Sequence, residues 1–204
     1  MNTEGTSLYS VLLEVRTQEE TLLPLMTGPQ IHAMFLRLLT QDDPVLFAQL
    51  HDRSGIRPFT LSQLLGAEIQ HNHLRLFPGQ TYLIRITFMD SGELWERLST
   101  LLLETGPAQV RLDQAHLSLT RLFVNPTSDR TGWVAKTSWR SLSEVPPRQT
   151  LSLCFASPTA FNIGGKYYEL FPEPLLVWKS LLRTWNTYAP EPLKIEKQEL
   201  YPVI

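Results

Sequence analysis

HLRLFPGQTYLIRITF, running from His73 to Phe88, is the stretch on which the fold turns. Apolar residues alternate at Leu74 and Leu76, then again at Tyr82, Ile84, Ile86 and Phe88, which is the two-residue period of a half-buried strand. Pro78-Gly79-Gln80 interrupts the alternation, so the stretch predicts two strands joined by a tight connection as a hairpin. A helix is predicted on either side. After Gly28-Pro29, the side chains Ile31, Met34, Phe35, Leu38 and Leu39 recur at steps of three and four. After Ser91, Leu94, Leu98, Leu101 and Leu102 do the same, with Glu93 and Glu96 near the positive end of the helix dipole. Asp42 or Asp43 is placed to cap a shorter helix, with Pro44 in its first turn and Phe47, Leu50 and His51 beyond, ending near Gly55. Leu8–Val15 (LYSVLLEV) reads as a strand leaving for a loop, and Ala115–Val124 (AHLSLTRLFV) as the closing strand. The order strand, helix, strand, strand, helix, strand predicts an α+β, ferredoxin-like (RRM-like) βαββαβ domain over residues 1–125.

Residues 126–149 carry three prolines, several Ser/Thr and scattered positive charge without a sustained period, and are expected to be a linker. Beyond it, Leu151–Ala156 reads as a strand, with Cys154 as a small core residue, and Pro174–Tyr188 as an amphipathic helix. Residues 150–204 are therefore expected to be a second ferredoxin-like copy, in tandem with the first and incomplete.

A chain of 204 residues, 43% hydrophobic, is long enough to bury a substantial core. Its single cysteine excludes an internal disulfide and a cysteine-based zinc site, and a reducing compartment is the economical reading. No apolar run approaches the ~20 residues of a membrane helix, and the start lacks a secretory pattern, so a cytoplasmic location is expected. The formal net charge of -2 makes no whole-molecule case for nucleic-acid binding, but the charge is uneven. Residues 1–100 hold 7 Lys/Arg against 11 Asp/Glu, and residues 111–183 hold 9 against 5. Arg111, Arg121, Arg130, Lys136, Arg140, Arg148 and Lys166 can form a basic, RNA-binding face, or simply a solvated surface.

Two histidines and an arginine carry the candidate chemistry. RNA cleavage without a metal uses the adjacent 2′-hydroxyl as nucleophile, and needs a base for it, an acid for the leaving 5′-oxygen and positive charge at the phosphorane. An imidazole with an ordinary pKa of ~6.5 suits either proton role. Arg57, in the bent segment between Gly55 and Pro58, is a permanent cation whose fork matches phosphate. Taken alone, His32 and His51 read more readily as capping or packing residues of helices than as catalysts. His71 and His73 lack a neighbouring carboxylate or Cys and read as surface residues rather than metal ligands, and His116 as a solvent-facing strand residue.

The joint spacing is what distinguishes this chain. IHAMFLRLL from Ile31, Leu50-His51, Gly55, Arg57, Phe59-Thr60, then Ser157-Pro158-Thr159-Ala160-Phe161 and Leu181-Leu182-Arg183-Thr184-Trp185-Asn186 follow one another in the order of a known family. With them the chain resembles the CRISPR-associated endoribonucleases that cut repeat RNA into guides. The resemblance implies a metal-independent endoribonuclease without a cofactor, leaving a 2′,3′-cyclic phosphate and a 5′-hydroxyl. It implies His51 as catalytic, His32 as its acid/base partner, Arg57 as the charge stabiliser, and Arg53 with the basic residues above as RNA contacts. CRISPR repeat RNA and other subunits of a CRISPR effector complex are the implied partners. Two departures stand against it. Phe35 and Leu36 occupy positions near which some relatives carry a Tyr, and EPLKIEKQELYPVI has none of the glycines of the RNA-touching loop with which relatives end. A non-catalytic RNA-binding subunit is the alternative expectation.

Overall fold

The computed structural model describes residues 7–40, 43–51, 56–89, 92–105 and 108–196, with the backbone alone at Phe47, Gln49, His51, Glu104 and Thr105. The chain divides into two units, Met1–Ser138 and Trp139–Ile204.

The first unit is built on β1 (Ser7–Thr17), whose Val11, Leu13 and Val15 point into the core at a period of two. β2 (Thr21–Pro24) follows, then α1 (Gly28–Leu39), with Pro29 in its first turn and Ile31, Met34, Phe35, Leu38 and Leu39 buried along one face. α2 (Pro44–His51) leads to β3 (Phe59–Leu61), β4 (Glu68–Gln70), β5 (His73–Leu76) and β6 (Thr81–Phe88). α3 (Glu93–Thr105) buries Leu94 and Leu98, and is followed by β7 (Gln109–Leu112), β8 (Ala115–Phe123) and β9 (Ala135–Ser138). β1 lies antiparallel between β6, where Leu13 meets Ile84, and β8, where it meets Leu122. The sheet order is β3-β6-β1-β8-β7. With α1 and α3 as its crossovers, β1, β3, β6 and β8 make the ferredoxin-like βαββαβ arrangement, so the α+β class read from the sequence holds. Each fully buried Leu, Ile or Phe of this core contributes roughly 1.5–3 kcal/mol.

The hairpin expected within His73–Phe88 does not form. The turn is there, with Gly79 at φ 73° and Gln80 N–H donating to the Phe77 carbonyl at 3.2 Å, but its two arms enter different sheets. Both edges of β6 are occupied, one by β1 and the other by β3 and the Leu65–Leu83 bridge that follows it, so no ladder is open to β5. β5 pairs instead with β2 and β4 in a three-stranded sheet, with Leu74 opposite Leu23 and an Arg75–Glu20 ion pair of 2.6 Å beside it.

The stretch 126–149 is more structured than a linker. Its β9 pairs with the first residues of β1, Ser7 opposite Ser138, on the side along which β8 pairs with Leu12–Thr17. Asp129 closes the preceding loop. Its carboxylate accepts from Thr131 N–H (2.8 Å), the Thr131 hydroxyl (2.7 Å), Trp133 N–H (2.7 Å) and Val134 N–H (2.8 Å).

The second unit holds α4 (Trp139–Ser143), a hairpin of β10 (Phe161–Ile163) and β11 (Tyr167–Glu169), and α5 (Pro174–Tyr188). Trp139 packs edge-to-face on Trp185 at 5.0 Å, and the Trp185 indole N–H donates to the Leu193 carbonyl at 2.7 Å. Asn186 donates to the Ile195 carbonyl (2.7 Å) and accepts from its N–H (2.9 Å), which folds the following chain back along the helix. Leu151–Ala156, expected to be a strand, is irregular and exposed, and Cys154 is exposed rather than a core residue. Alternation alone does not make a strand: its amides and carbonyls need a ladder partner, and the described residues of this unit offer it none.

Candidate active site

α2 is held at both ends. At its start the Asp43 carboxylate accepts from the Leu46 N–H at 2.9 Å and from the Arg97 guanidinium at 2.6 Å. The Leu46 bond, then the Arg97 pairing, outweigh desolvation and hold the Asp43 carboxyl below its ordinary pKa. Of the two capping candidates, Asp43 is the cap, and Asp42 lies outside the described residues. At its end, the Arg57 guanidinium donates through Nη1 to the Leu50 carbonyl, where the helix dipole favours a cation. His51 is the last residue of the helix, immediately beyond that carbonyl.

His32 stands in the second turn of α1, half-buried, with its ring stacked 5.9 Å from that of Phe59 at 28° between planes. Phe59 in turn meets Phe35 edge-on at 4.9 Å and is buried. Arg57 and Phe59 are two residues apart at the entry to β3, so one short segment touches both the end of α2 and the His32 side of α1. His32, Arg57 and the helix terminus bearing His51 are thus gathered around the start of one strand. The described part of the site offers the His32 imidazole for proton transfer and the Arg57 guanidinium for anionic charge, and the His51 side chain lies outside the described residues.

The basic residues fall on both units. Arg121, Arg130 and Lys136 belong to the first and Arg140, Arg148 and Lys166 to the second, all exposed. Arg53 lies outside the described residues. Arg121 sits over the Phe123 ring at 5.4 Å, Lys136 over Tyr9 at 5.3 Å, and Arg140 pairs with Glu144 at 2.9 Å. The hydrogen bond to Glu144 and its charge raise the Arg140 pKa. His71, His73 and His116 are exposed, as read. Among the described residues no group of three or more His, Cys, Asp or Glu is arranged to hold a metal ion, and no helix is long and apolar enough to cross a membrane.

Sequence reasoning passed over Arg97 and Arg85. Both stand beside apolar positions of strongly periodic elements, and the periodicity that identifies a core face says nothing of a cation between core residues. Arg85 donates through Nε to the Ser10 hydroxyl at 2.9 Å and lies 5.4 Å from the Trp133 ring, tying β6 to the loop that Asp129 organises.

A family model described as the CRISPR Cas6 N-terminal domain matches residues 8–144, and one described as the CRISPR-associated endoribonuclease Cas6 matches residues 153–201. Among solved structures, the product complex of a Thermus thermophilus Cas6 is 27% identical, covering 97% of this chain and 70% of its own, with a TM-score of 0.72. A second structure of that Thermus protein is 25% identical over 96% of this chain with a TM-score of 0.61, and this chain spans 66% of its length. A Cas6-related protein from Pyrococcus furiosus, 10% identical over 90% of this chain and 73% of its own with a TM-score of 0.54, shares the fold alone. No curated protein matches. These likenesses extend over both units and accord with the tandem ferredoxin-like class read from the sequence.

Proposed function

The chain belongs to the Cas6 family of CRISPR-associated endoribonucleases, and on that footing we propose that it cuts CRISPR repeat RNA by a metal-independent attack of the 2′-hydroxyl on the adjacent phosphate. The observation that carries the proposal is the convergence at β3: Arg57 reaches the end of α2 and Phe59 stacks with His32, so both candidate histidines belong to elements fixed by one short segment. His51 and His32 share the two proton roles. One takes the 2′-hydroxyl proton as the new P–O bond forms, and the other protonates the departing 5′-oxygen as the old bond breaks. Arg57 balances the charge that accumulates on the phosphorane between those events. The products are a 2′,3′-cyclic phosphate and a 5′-hydroxyl. Each correctly placed proton-transfer group typically contributes ~10²–10⁴-fold. Arg53, Arg121, Arg130, Lys136, Arg140, Arg148 and Lys166 supply phosphate contacts, and the retained guide RNA links the protein to other effector subunits.

The test is cleavage of end-labelled repeat RNA in excess EDTA, with the product ends mapped chemically and a 2′-deoxy substitution at the scissile nucleotide as comparison. Cyclic-phosphate ends, no cleavage of the deoxy RNA, and loss of cleavage with retained binding in His51→Ala are expected. Tight binding by the parent protein without cleavage overturns the catalytic reading in favour of an RNA-binding subunit.

A further inference from the structure

We propose that Arg97 is a positioning residue that fixes the angle between α1 and α2, and through it the approach of their histidines to the scissile phosphate; the inference rests on the cleavage reading above. Arg97 lies on α3, next to Leu98, which is wholly buried, and one turn from Leu94, which is nearly so. Its backbone is therefore anchored in the core while its side chain reaches out between two helices. Nη1 donates to the Leu39 carbonyl, in the last residue of α1, at 3.1 Å, and Nη2 donates to Asp43 Oδ2, at the start of α2, at 2.6 Å. The Asp43 carboxylate spends its other oxygen on the Leu46 N–H. One planar group thus joins the end of the helix that carries His32 to the beginning of the helix that carries His51.

The short turn between the helices has its own bonds. Thr40 returns both its N–H (3.0 Å) and its hydroxyl (2.7 Å) to the Leu36 carbonyl, and Asp43 N–H donates to the Thr40 carbonyl at 3.0 Å. These close α1 but do not tie α2 to α3, which Arg97 does. A guanidinium suits this task because its donors are rigid and coplanar, whereas an ammonium makes one good contact and leaves the second to chance. The leverage is considerable. At roughly 1.5 Å per residue the run from Asp43 to His51 spans about 12 Å, so a tilt of about 10° at the clamp carries the far end through about 2 Å. A misplacement of ~1 Å at a reacting group costs up to ~10²-fold in rate.

The experiment is single-turnover cleavage at saturating full-length protein, with RNA affinity measured separately and both taken well below each variant's melting midpoint. Arg97→Ala is expected to slow cleavage by about 10–100-fold with affinity within about twofold of the parent. Arg97→Lys is expected to recover part of the rate. Asp43→Ser keeps an N-cap but removes the ion pair, and is expected to lose rate in the same way without unravelling α2. Arg97→Ala cleaving at the parental rate, while His51→Ala does not cleave, overturns the positioning role alone. Equal loss of rate and affinity, or no recovery by Arg97→Lys, also overturns it. Parental cleavage by both His51→Ala and His32→Ala overturns the assignment of proton transfer to these histidines and the positioning inference with it, whereas a parent protein that binds RNA without cutting it overturns the cleavage reading itself.

Discussion

Replacing Phe59 with Leu separates the volume of that side chain from its ring. Phe59 is only 4% exposed, and its ring serves two others: His32 stacked at 5.9 Å and Phe35 edge-on at 4.9 Å. Leucine retains most of the buried apolar volume and so should escape the ~3–5 kcal/mol that Phe→Ala costs in a core. It forfeits both ring pairs, each worth ~0.5–1.5 kcal/mol beyond area, and the expected loss is ~1–3 kcal/mol. For a unit of this size that lowers the melting midpoint by roughly 3–15 °C, which calorimetry of the full chain reads directly. Cleavage measured below the transition should fall as well, because His32 loses the surface that orients its ring, whereas Phe59→Tyr should keep the rate. A Phe59→Leu protein that melts and cuts like the parent would mean that the stack does not position His32, and that the convergence at β3 is fortuitous.

Asp129 gives a prediction in pH. Desolvation opposes its ionisation, but hydrogen bonds from Thr131 N–H, Val134 N–H, the Thr131 hydroxyl and Trp133 N–H win and hold the carboxyl at about 2. A folded-state pKa below the ordinary value near ~3.9 means stability fully present above that value and lost as pH falls toward 2. Acid unfolding of the parent should therefore steepen between about pH 4 and 2, and Asp129→Asn should flatten that arm; identical acid profiles would show that the loop does not depend on the charge. Cys154 is exposed and the sole cysteine, so a thiol reagent should titrate it fully in the native protein without denaturant, while a slow reaction that accelerates on unfolding would restore it to a core.

The main sheet was legible because its elements carry their own periods. Tyr82, Ile84, Ile86 and Phe88 alternate in sequence and in burial, and Ile31, Phe35 and Leu38 form a stripe in both. What failed is pairing, which depends on which edges remain open. The turn at Pro78-Gly79 identifies a reversal of the chain but not whether the returning strand finds a vacant neighbour, and β6 had none to offer β5. Leu151–Ala156 failed for the related reason that a strand is a property of two segments. In the candidate site, the helices bearing His32 and His51 were visible from apolar spacing and from the Asp43-Pro44 start. The contacts that hold them, from Arg57, Phe59 and Arg97, join positions up to 58 residues apart and leave no local trace.

β8 and β9 occupy one edge of β1 in the same direction, with Phe123 opposite Leu12 and Ala135 opposite Ser10. The intervening residues 124–134 leave the sheet and return almost where they departed, about 7 Å further along at roughly 3.3 Å per residue. They form an excursion from what is otherwise one long strand, exposed at 124–128 and fastened to the sheet at Trp133, whose carbonyl accepts from the Ser10 hydroxyl at 2.6 Å. Because closure cost grows only slowly with loop length, the exposed part of the detour, residues 124–128, can lengthen, shorten or change composition while Asp129, Trp133 and Val134 hold the return to the ladder. This exposed stretch is where the first unit can diversify without renegotiating its architecture, and where a foreign epitope or reporter peptide could be grafted with the ladder intact.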